Sequence, residues 1–171
     1  LKQQILSKKG VTQFIGHNHA ILKLKDDITT FSQLDCNVLI IGETGTGKDL
    51  CARAIHYLSS RWNKPFVPFN CGAIPIDLLE NELFGHIQGA FTGASTPQPG
   101  LIHEANSGTL FLDDIDCLTL NAQVKLLRFL QEKEYRQLGS PKIYCADVRV
   151  IAATNSDLEA AVHAGKIRRD L

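Results

Sequence analysis

The chain has 171 residues, of which 44% are hydrophobic, a length and composition that predict one domain with a substantial core. The 18 Lys and Arg residues balance the 18 Asp and Glu residues. The chain therefore lacks the overall basic charge that would indicate a nucleic-acid partner. No apolar run reaches the length of a membrane span and no secretory pattern opens the chain, so we expect a cytoplasmic protein without membrane contact.

The 5 cysteines are scattered along the chain and lack C-x-x-C spacing. This pattern predicts reduced, mostly buried thiols rather than a disulfide or zinc framework. The 6 histidines offer no better metal site.

The first predicted elements are a helix and a strand. The helix carries Ile21, Leu24, Ile28 and Phe31 on one face. The apolar run Val38–Ile41 follows, and its short, β-branched sequence is typical of a buried parallel strand.

A phosphate-binding loop is predicted directly after this strand, because GETGTGKD at residues 42–49 has G-x-x-x-x-G-K spacing and precedes a helical pattern. Glycines let successive N–H groups curl around a phosphate, and the helix N-terminus adds partial positive charge. Lys48 would contact the β- and γ-phosphates as a point charge. Asp49 stands where Ser or Thr would normally ligate Mg²⁺, and a carboxylate there fits poorly against phosphate. A structural glycine turn without a ligand is the alternative.

A short strand is predicted at Phe66–Asn70, followed by a helix near residues 77–84. Residues 85–100 are rich in Gly, Thr and Pro and predict an excursion away from the core. This excursion contains the string GAFTGA at residues 89–94, which is rare by chance because all six letters are specified.

Two carboxylates end the next predicted strand, at residues 109–115. Asp113 would hold Mg²⁺ through water, and Asp114 would orient and polarise an attacking water. The alternative is a strand that runs into a solvated turn. The phosphate loop earlier in the same domain favours the functional interpretation.

An amphipathic helix is predicted next, with Leu120, Val124, Leu127 and Leu130 on its apolar face. Strands and helices thus alternate along the chain. That order predicts an α/β fold with a mostly parallel sheet covered by helices on both faces.

The last predicted strand, residues 148–153, ends in the polar pair Thr154-Asn155. Open α/β sheets bind ligands at the carboxyl ends of their strands, so this pair is a candidate for ligand contact. A simple strand-end turn, with Asn155 bonded to nearby backbone, is the alternative. Residues 156–159 have a capping-box pattern that predicts the start of a helix.

With these elements in order, the sequence resembles the ATPase domain of bacterial sigma-54-dependent transcription activators, which belong to the AAA+ P-loop NTPases. The resemblance runs from about Phe14 to Leu171 and rests on GETGTGKD, NCGA, ELFGH, GAFTGA, TLFLDDI, VRVIAATN and RRDL. GAFTGA is highly specific to this family. The resemblance implies a three-layer αβα sandwich with strand order 5-1-4-3-2. It makes residues 14–171 the sigma-54 interaction domain and residues 1–13 an N-terminal linker.

The resemblance also implies a site for ATP and Mg²⁺ at the junction of neighbouring subunits in a ring, usually a hexamer. Asp113 would serve Mg²⁺ through water, and Asp114 the attacking water. Thr154 and Asn155 would sense the γ-phosphate, and Asn70 would hold the catalytic acid idle until the ring is engaged. An acidic residue after the lysine is also similar to the family. The residues expected to hold the nucleotide are Ile15, Gly16, Gly42, Glu43, Thr44, Gly45, Thr46, Gly47, Lys48, Asp49 and Leu50.

Two contacts between molecules are implied as well. Arg168 would reach the ATP of the next subunit in trans, although the sequence alone equally fits a solvated surface arginine. Phe91 and Thr92 would contact sigma-54 RNA polymerase from the tip of a raised loop, and residues 135–146 would form a second loop that moves with it. Hydrolysis would remodel the polymerase from a closed to an open promoter complex, and DNA would be bound by a C-terminal domain outside this chain.

The sequence departs from the family pattern in ways that affect activity. Asp114 replaces the family's Glu, which shortens the reach to the attacking water, and a misplacement of about 1 Å can cost roughly a hundredfold in rate. The chain stops before the family's last strand and helical lid, so we expect the fragment alone to be a weak, mainly monomeric ATPase. A hydrolysis-impaired ATP-binding assembly module is the alternative function. A third possible function is that of a different AAA+ machine, one that acts on another protein, and the GAFTGA string argues against it.

Overall fold

The computed structural model describes residues 19–171. The predicted linker, residues 1–13, and two of the expected nucleotide contacts, Ile15 and Gly16, lie outside the described residues. Within the described range, the predicted helices and strands occur in the predicted order.

A four-stranded parallel sheet forms the centre of the domain. The strands, with those of two smaller sheets, are Val38–Ile41 (β1), Phe66–Asn70 (β2), Gly85–His86 (β3), Gln98–Pro99 (β4), Thr109–Asp113 (β5), Glu134–Tyr135 (β6), Tyr144–Cys145 (β7) and Arg149–Thr154 (β8). The order in the main sheet is β1-β8-β5-β2, and every neighbouring pair is parallel. This arrangement confirms the mostly parallel sheet and matches the 1-4-3-2 portion of the expected strand order.

Helices pack on the sheet. In the described residues they are His19–Gln33 (α1), Lys48–Leu58 (α2), Leu79–Phe84 (α3), Leu101–Glu104 (α4), Leu120–Glu132 (α5) and Leu158–His163 (α6). Short 3-10 turns lie at Cys71–Ala73, Ile76–Leu78 and Ile115–Cys117. Among the described residues, every helix is too short or too polar to span a bilayer.

The sheet separates two apolar clusters. On one face, Ile28 of α1 and Ile55 of α2 pack in a cluster that includes Phe111. On the other face, α3, α4 and α5 pack against Leu110 and Leu112. Because successive side chains of a strand point to opposite faces, β5 contributes to both clusters and is buried on both sides. The domain is therefore a three-layer αβα sandwich, as predicted.

Strand β1 is parallel, as predicted, but less buried than its sequence suggests. Leu39 and Ile41 are 48% and 64% exposed, whereas Val38 and Ile40 pack against the cluster around α2. The strand lies at the edge of the described sheet, so it lacks a neighbour on one side. An uninterrupted apolar run cannot distinguish an edge position from a central one.

Helix α5 forms where it was predicted, but only part of the predicted apolar face turns inward: Leu130 packs against the core cluster. Leu120 and Val124 are 51% and 46% exposed, whereas Ala122, Leu126 and Phe129 are fully buried. Both sets recur at helical spacing, so periodicity fits either face. Packing of Phe129 and Leu126 into the core cluster decides which face turns inward.

All five cysteines are free thiols, as predicted, but the prediction that most are buried is wrong. Cys51 and Cys71 are buried, whereas Cys36, Cys117 and Cys145 are exposed. The exposed three lie near the ends of elements, where no neighbouring layer covers them. Burial raises the pKa of the Cys71 thiol to about 12, so this thiol stays protonated at neutral pH.

Candidate functional site

The glycine loop between β1 and α2 has the backbone shape of a phosphate-binding loop. Gly45 and Gly47 have φ values of 82° and 90°, a region that favours glycine. A Cβ on Gly45 would meet nothing within 4 Å, so this part of the loop faces open space. Thr46 closes the turn by donating its hydroxyl to the Glu43 carbonyl at 2.7 Å. The loop therefore presents its backbone to a cleft.

Lys48 is the first residue of α2 and is only 8% exposed. Its side chain folds back across the loop, and Nζ donates to the carbonyl oxygens of Gly42 at 2.9 Å and Glu43 at 3.2 Å. Leu50 lies beside the loop, with Cδ1 3.7 Å from the position of a Cβ on Gly47. The ammonium group is thus held inside the turn that would surround a phosphate.

The Asp49 carboxylate is paired within its own helix. Arg53 donates Nε to Asp49 Oδ2 at 2.8 Å, one helical turn away. The Arg53 guanidinium in turn lies over the Phe66 ring, 5.0 Å from its centroid. This ion pair offsets the negative charge beside the phosphate loop and removes the conflict that the sequence suggested.

The wall opposite the loop is built from the carboxyl ends of three parallel strands. β2 ends at Asn70, β5 at Asp113, and Asn155 directly follows β8. Together with the loop they enclose a cleft of about 340 Å³. The residues that line it are Thr44, Gly45, Gly47, Lys48, Asp49, Asn70, Asp113, Asp114 and Asn155.

Asp114 has an uncommon backbone conformation for a residue with a side chain. Its φ and ψ are 51° and 50°, in the left-handed region, and its N–H donates to Asp113 Oδ1 at 3.0 Å. The carboxylate lies beside Gly72, where an added Cβ would be 3.1 Å from Asp114 Oδ2. Strain of this kind often marks functional positions, and it turns the chain sharply just after β5.

Asn70 stands on the other side of Gly72. Its Oδ1 accepts a hydrogen bond from Ala73 N at 3.0 Å and so caps the following 3-10 turn. In register, Asn70 is the partner of Asp113 across the β2–β5 pair. Among the described residues no hydrogen bond joins Asn70 to Asp114, although a Cβ on Gly72 would contact both side chains.

The two polar residues at the end of β8 point to different neighbours. Asn155 donates Nδ2 to Thr44 Oγ1 at 2.8 Å, across the cleft to the phosphate loop. Thr154 is buried, and its hydroxyl donates to Asp116 Oδ1 at 2.5 Å. Asn155 therefore lines the cleft, whereas the Thr154 side chain bonds to a residue behind it.

Asp116 is a polar residue of this region that sequence reasoning missed. It accepts from Ser156 Oγ at 2.6 Å as well as from Thr154. Burial alone would raise the pKa of this carboxyl, but the bonds from Ser156 and Thr154 and the nearby charge of Lys48 hold the pKa below its ordinary value. The only signal in the sequence is a third Asp two residues after Asp114, which does not reveal partners 38 and 40 residues away.

The capping-box prediction at residues 156–159 is wrong in its capping residue. Helix α6 begins at Leu158, and its N-cap is Asp157, whose Oδ1 accepts from Ala160 N at 3.1 Å. Ser156 instead directs its hydroxyl to Asp116. Asp is as good an N-cap as Ser, so local sequence allowed either residue, and the tertiary contact of Ser156 determines the outcome.

Arg168 lies on the exposed segment near the end of the chain. Its backbone N–H donates to Gln123 Oε1 at 2.9 Å, and its guanidinium pairs with Asp170 through contacts of 2.9 and 2.6 Å. Arg168 does not line the cleft of its own chain. Its guanidinium is therefore exposed but already paired within the chain.

The glycine-rich loop at residues 89–94 forms a tight turn with an exposed aromatic tip. Gly89 N donates to Ala94 O at 2.9 Å, and both Gly89 and Gly93 have positive φ. Phe91 is 44% exposed and packs on one side against the His86 ring, with centroids 5.0 Å apart. Thr92 is exposed beside it.

The loop is joined at its base to the second predicted loop. Leu138 N donates to Gly85 O at 2.8 Å, and Ile87 N donates to Leu138 O at 3.2 Å. Gly139 approaches Ala90 so closely that an added Cβ would be 2.8 Å from the Ala90 Cβ. The two loops are therefore in direct contact.

A phosphate loop facing two carboxylates on a nearby strand, in a parallel sheet of this order, defines a P-loop NTPase of the AAA+ class. The chain belongs to the family described as the sigma-54 interaction domain, whose sequence profile matches residues 14–171.

Curated relatives and solved structures agree with this assignment. The chain is 60% identical over 137 residues to the sigma54-dependent transcriptional activator SfnR of Pseudomonas putida, covering 80% of the chain and 37% of SfnR. It is 50% identical over 171 residues to the DNA-binding transcriptional activator HyfR of Escherichia coli K12, covering 100% of the chain and 26% of HyfR. The structure of Brucella abortus NtrX in complex with ATP is similar, with 34% identity, a TM-score of 0.83, and coverage of 91% of this chain and 33% of NtrX. The chain thus spans between about a quarter and two fifths of these proteins.

Proposed function

We propose that this chain is the ATP-binding and ATP-hydrolysing domain of a transcription activator that remodels sigma-54 RNA polymerase for open-complex formation. The observation that carries the proposal is the cleft in which Lys48 of the phosphate loop lies opposite Asp113 and Asp114. Family membership and the ATP complex of a similar protein support a nucleotide in this position.

The phosphate loop would bind the triphosphate. Backbone N–H groups from Gly45 to Leu50 would surround the phosphates at the N-terminus of α2, where the helix dipole favours negative charge. Lys48 Nζ already lies inside the turn and would exchange its carbonyl contacts for phosphate oxygens. The contact between Asn155 and Thr44 places an amide at the open side of the loop, where it would sense the γ-phosphate.

The cleft fits Mg²⁺ bound together with ATP. Mg²⁺ is usually held by one or two carboxylates, waters and substrate phosphates, and Asp113 supplies one carboxylate at the end of β5. Among the described residues no cluster of three or more His, Cys, Asp or Glu side chains forms a metal site by itself. The metal would therefore need the phosphates, and when bound it would neutralise charge on the transferred phosphoryl group.

Asp114 would accept a proton from the attacking water or orient it. Its position directly after Asp113 brings a second carboxylate into the same cleft. Asn70 ends the adjacent strand and would hold the acid idle until a partner engages the ring. Thr154 would act through its position beside Asn155, since its own hydroxyl bonds to Asp116.

A ring of identical subunits, with six as the expected number, would complete the site. Arg168 is exposed and outside its own cleft, as an arginine acting in trans must be. Such a residue neutralises charge on the transferred phosphoryl group and can raise rates by about 10³- to 10⁵-fold. In this arrangement Arg168 would exchange Asp170 for the phosphates of the neighbouring subunit.

Phe91 and Thr92 would contact sigma-54 RNA polymerase. An exposed aromatic ring on a turn with two positive-φ glycines contributes little to monomer stability but suits a partner surface. Residues 14–171 would be the working domain and residues 1–13 a linker, and DNA would be contacted by another part of the intact activator.

One observation favours a second candidate, an ATP-binding assembly module with impaired hydrolysis. The Asp114 carboxylate lies beside Gly72, and its side chain is one methylene shorter than the Glu of the family pattern. Hydrolysis by the intact protein, with and without Asp114→Glu, separates the candidates. A slow wild type that Asp114→Glu accelerates at least about tenfold supports the impaired module, whereas an already active wild type supports the first proposal.

The test of nucleotide binding is titration of a fluorescent ATP analogue against Lys48→Ala. We expect affinity to fall about a hundredfold or more, roughly 2.7 kcal/mol, because the variant loses the cation inside the phosphate turn. Lys64→Ala, which removes an exposed lysine before β2, is the matched control and should bind normally. Equal affinity of Lys48→Ala and wild type contradicts the proposed site.

A further inference from the structure

Asp116 is the centre of a small hydrogen-bond network behind the nucleotide cleft. Thr154 Oγ1 donates to its Oδ1 at 2.5 Å, and Ser156 Oγ donates to its Oδ2 at 2.6 Å. The Ser156 N–H donates in turn to Thr154 Oγ1 at 3.0 Å. Both carboxylate oxygens are therefore engaged by residues at the end of β8.

These bonds join two walls of the cleft that the sheet leaves separate at this end. Asp116 lies in the 3-10 turn directly after Asp113 and Asp114. The register of β5 and β8 pairs Leu112 with Ala152, so backbone pairing stops before these carboxylates and before Asn155. Beyond that point, the Asp116 side chain joins the turn to the strand end through its bonds to Thr154 and Ser156.

The network also reaches the phosphate loop. The Gly42 N–H donates to the Thr154 carbonyl at 3.1 Å, and Asn155 donates to Thr44 Oγ1 at 2.8 Å. A shift of Thr154 would therefore move the start of the loop and the amide that bridges to it. Asp116 itself is not among the residues that line the cleft.

We propose that Asp116 is a positioning residue of the cleft, whose carboxylate fixes the spacing between the Asp113–Asp114 turn and the strand end that carries Asn155. The inference rests on the proposed ATP hydrolysis at this site. It assigns Thr154 a role in holding the strand end in place, and leaves contact with the γ-phosphate to Asn155.

The deciding experiment compares Asp116→Ala and Asp116→Asn in the intact protein, by steady-state ATP hydrolysis and by affinity for a fluorescent ADP analogue. Asp116→Ala should lower kcat by about 10- to 100-fold, because an error of 1 Å in position costs about that much. ADP affinity should stay equal or improve, since a negative charge near Lys48 is removed. Asp116→Asn should keep most of kcat, because an amide can accept from Thr154 and donate to Ser156.

Thr154→Val removes the other partner of the Thr154–Asp116 hydrogen bond and so tests the same interaction. It should lower kcat as Asp116→Ala does, and the double variant should be no worse than either single one, because both remove the same interaction. Amide hydrogen exchange in nucleotide-free protein gives a readout apart from activity. Residues 113–117 and 154–156 should exchange faster in Asp116→Ala, with the remaining sheet unchanged.

The outcomes separate this inference from the proposed function. A wild type that binds and hydrolyses ATP, with normal kcat and normal exchange in Asp116→Ala, overturns the positioning role alone. Equal losses of kcat in Asp116→Asn and Asp116→Ala, additive with the loss in Thr154→Val, would show that the negative charge of Asp116 matters rather than its hydrogen bonds. That result also overturns the positioning role. A wild type that binds no ATP overturns the proposed function, and the inference with it.

Discussion

Gly72 makes room for the carboxylate of Asp114. A Cβ on residue 72 would lie 3.1 Å from Asp114 Oδ2 and 3.3 Å from Asn70 Oδ1, closer than most real contacts of that kind. The missing side chain lets Asp114 turn left-handed after β5 while its carboxylate remains next to Asn70. The position of the proposed catalytic acid therefore depends on a neighbour that has no functional group.

Gly72→Ala should displace this carboxylate by a few tenths of an ångström. We expect kcat for ATP hydrolysis to fall by about 2- to 10-fold, less than the roughly hundredfold cost of a 1 Å error. Nucleotide affinity should stay within about twofold, because Gly72 does not line the cleft. Ala73→Ser, in the same turn, is the control and should leave kcat unchanged. A Gly72→Ala variant with full activity would mean that the placement of Asp114 tolerates this contact.

Gly139→Ala should push the GAFTGA loop and the second loop, residues 135–146, apart. The new Cβ would lie 2.8 Å from the Ala90 Cβ, and Gly139 has a φ of 78°. Gly165→Ala is a matched control, because its φ is 68° and a Cβ there meets nothing within 4 Å. Both variants should lose about 1–2 kcal/mol of folding free energy from left-handed strain.

Only Gly139→Ala should also weaken capture of sigma-54 in the presence of ADP and aluminium fluoride, by about tenfold or more. Urea unfolding and a pull-down measure the two effects separately. If Gly165→Ala weakens capture equally, general destabilisation is responsible and the loop contact is not.

Phe91→Ala and Thr92→Ala should each abolish capture of sigma-54 by the intact protein while ATP binding stays nearly normal. Loss of an aromatic anchor at an interface commonly costs about 2 kcal/mol or more, roughly thirtyfold in affinity. Leu22→Ala, which truncates an apolar side chain of similar exposure on α1, should leave capture unchanged. Normal capture by both loop variants would show that another surface makes the contact.

The ion pair of Asp35 with Arg61 predicts a pH effect on stability. Arg61 donates Nε and Nη2 to the two carboxylate oxygens at 2.9 and 2.8 Å, and these bonds hold the pKa of Asp35 below its ordinary value of 3.8. A lowered pKa in the folded state means that the stabilisation is complete above the ordinary value and is lost as pH falls through the lowered pKa.

Asp35→Asn should therefore be less stable than wild type at pH 7, by under about 1 kcal/mol because Asp35 is well exposed. The difference should disappear in acid, below the lowered pKa. Urea unfolding at several pH values measures it, with Asp77→Asn, another exposed aspartate, as the control. A difference that persists unchanged in acid would exclude the ion pair as its source.

The sequence predicted the parts of this molecule that local pattern determines. The strand before the phosphate loop, the loop itself and the carboxylates that end β5 each have a signal within a few residues. The parallel sheet follows from their alternation with helices. Family resemblance added the strand order and the assignment of GAFTGA, which composition and periodicity cannot supply.

The sequence failed where two local choices were equally good and a distant contact decided between them. Two faces of α5 have helical spacing, and Phe129 packing selects one. Ser156 and Asp157 are both good N-caps, and the bond from Ser156 to Asp116 leaves the cap to Asp157. Asp116 could not be identified at all, because the residues that bond to it approach it only after β5 and β8 pair.

The backbone bridge at Leu138 has a consequence for genetics. Leu138 bonds to Gly85 and Ile87, so the two loops are joined at one base although about 50 residues of chain separate them. A change in residues 135–146 can therefore shift the position of the GAFTGA tip through this shared base. Second-site revertants of defective Phe91 or Thr92 variants should therefore cluster in residues 135–146, and be rare in α1 on the opposite face of the sheet.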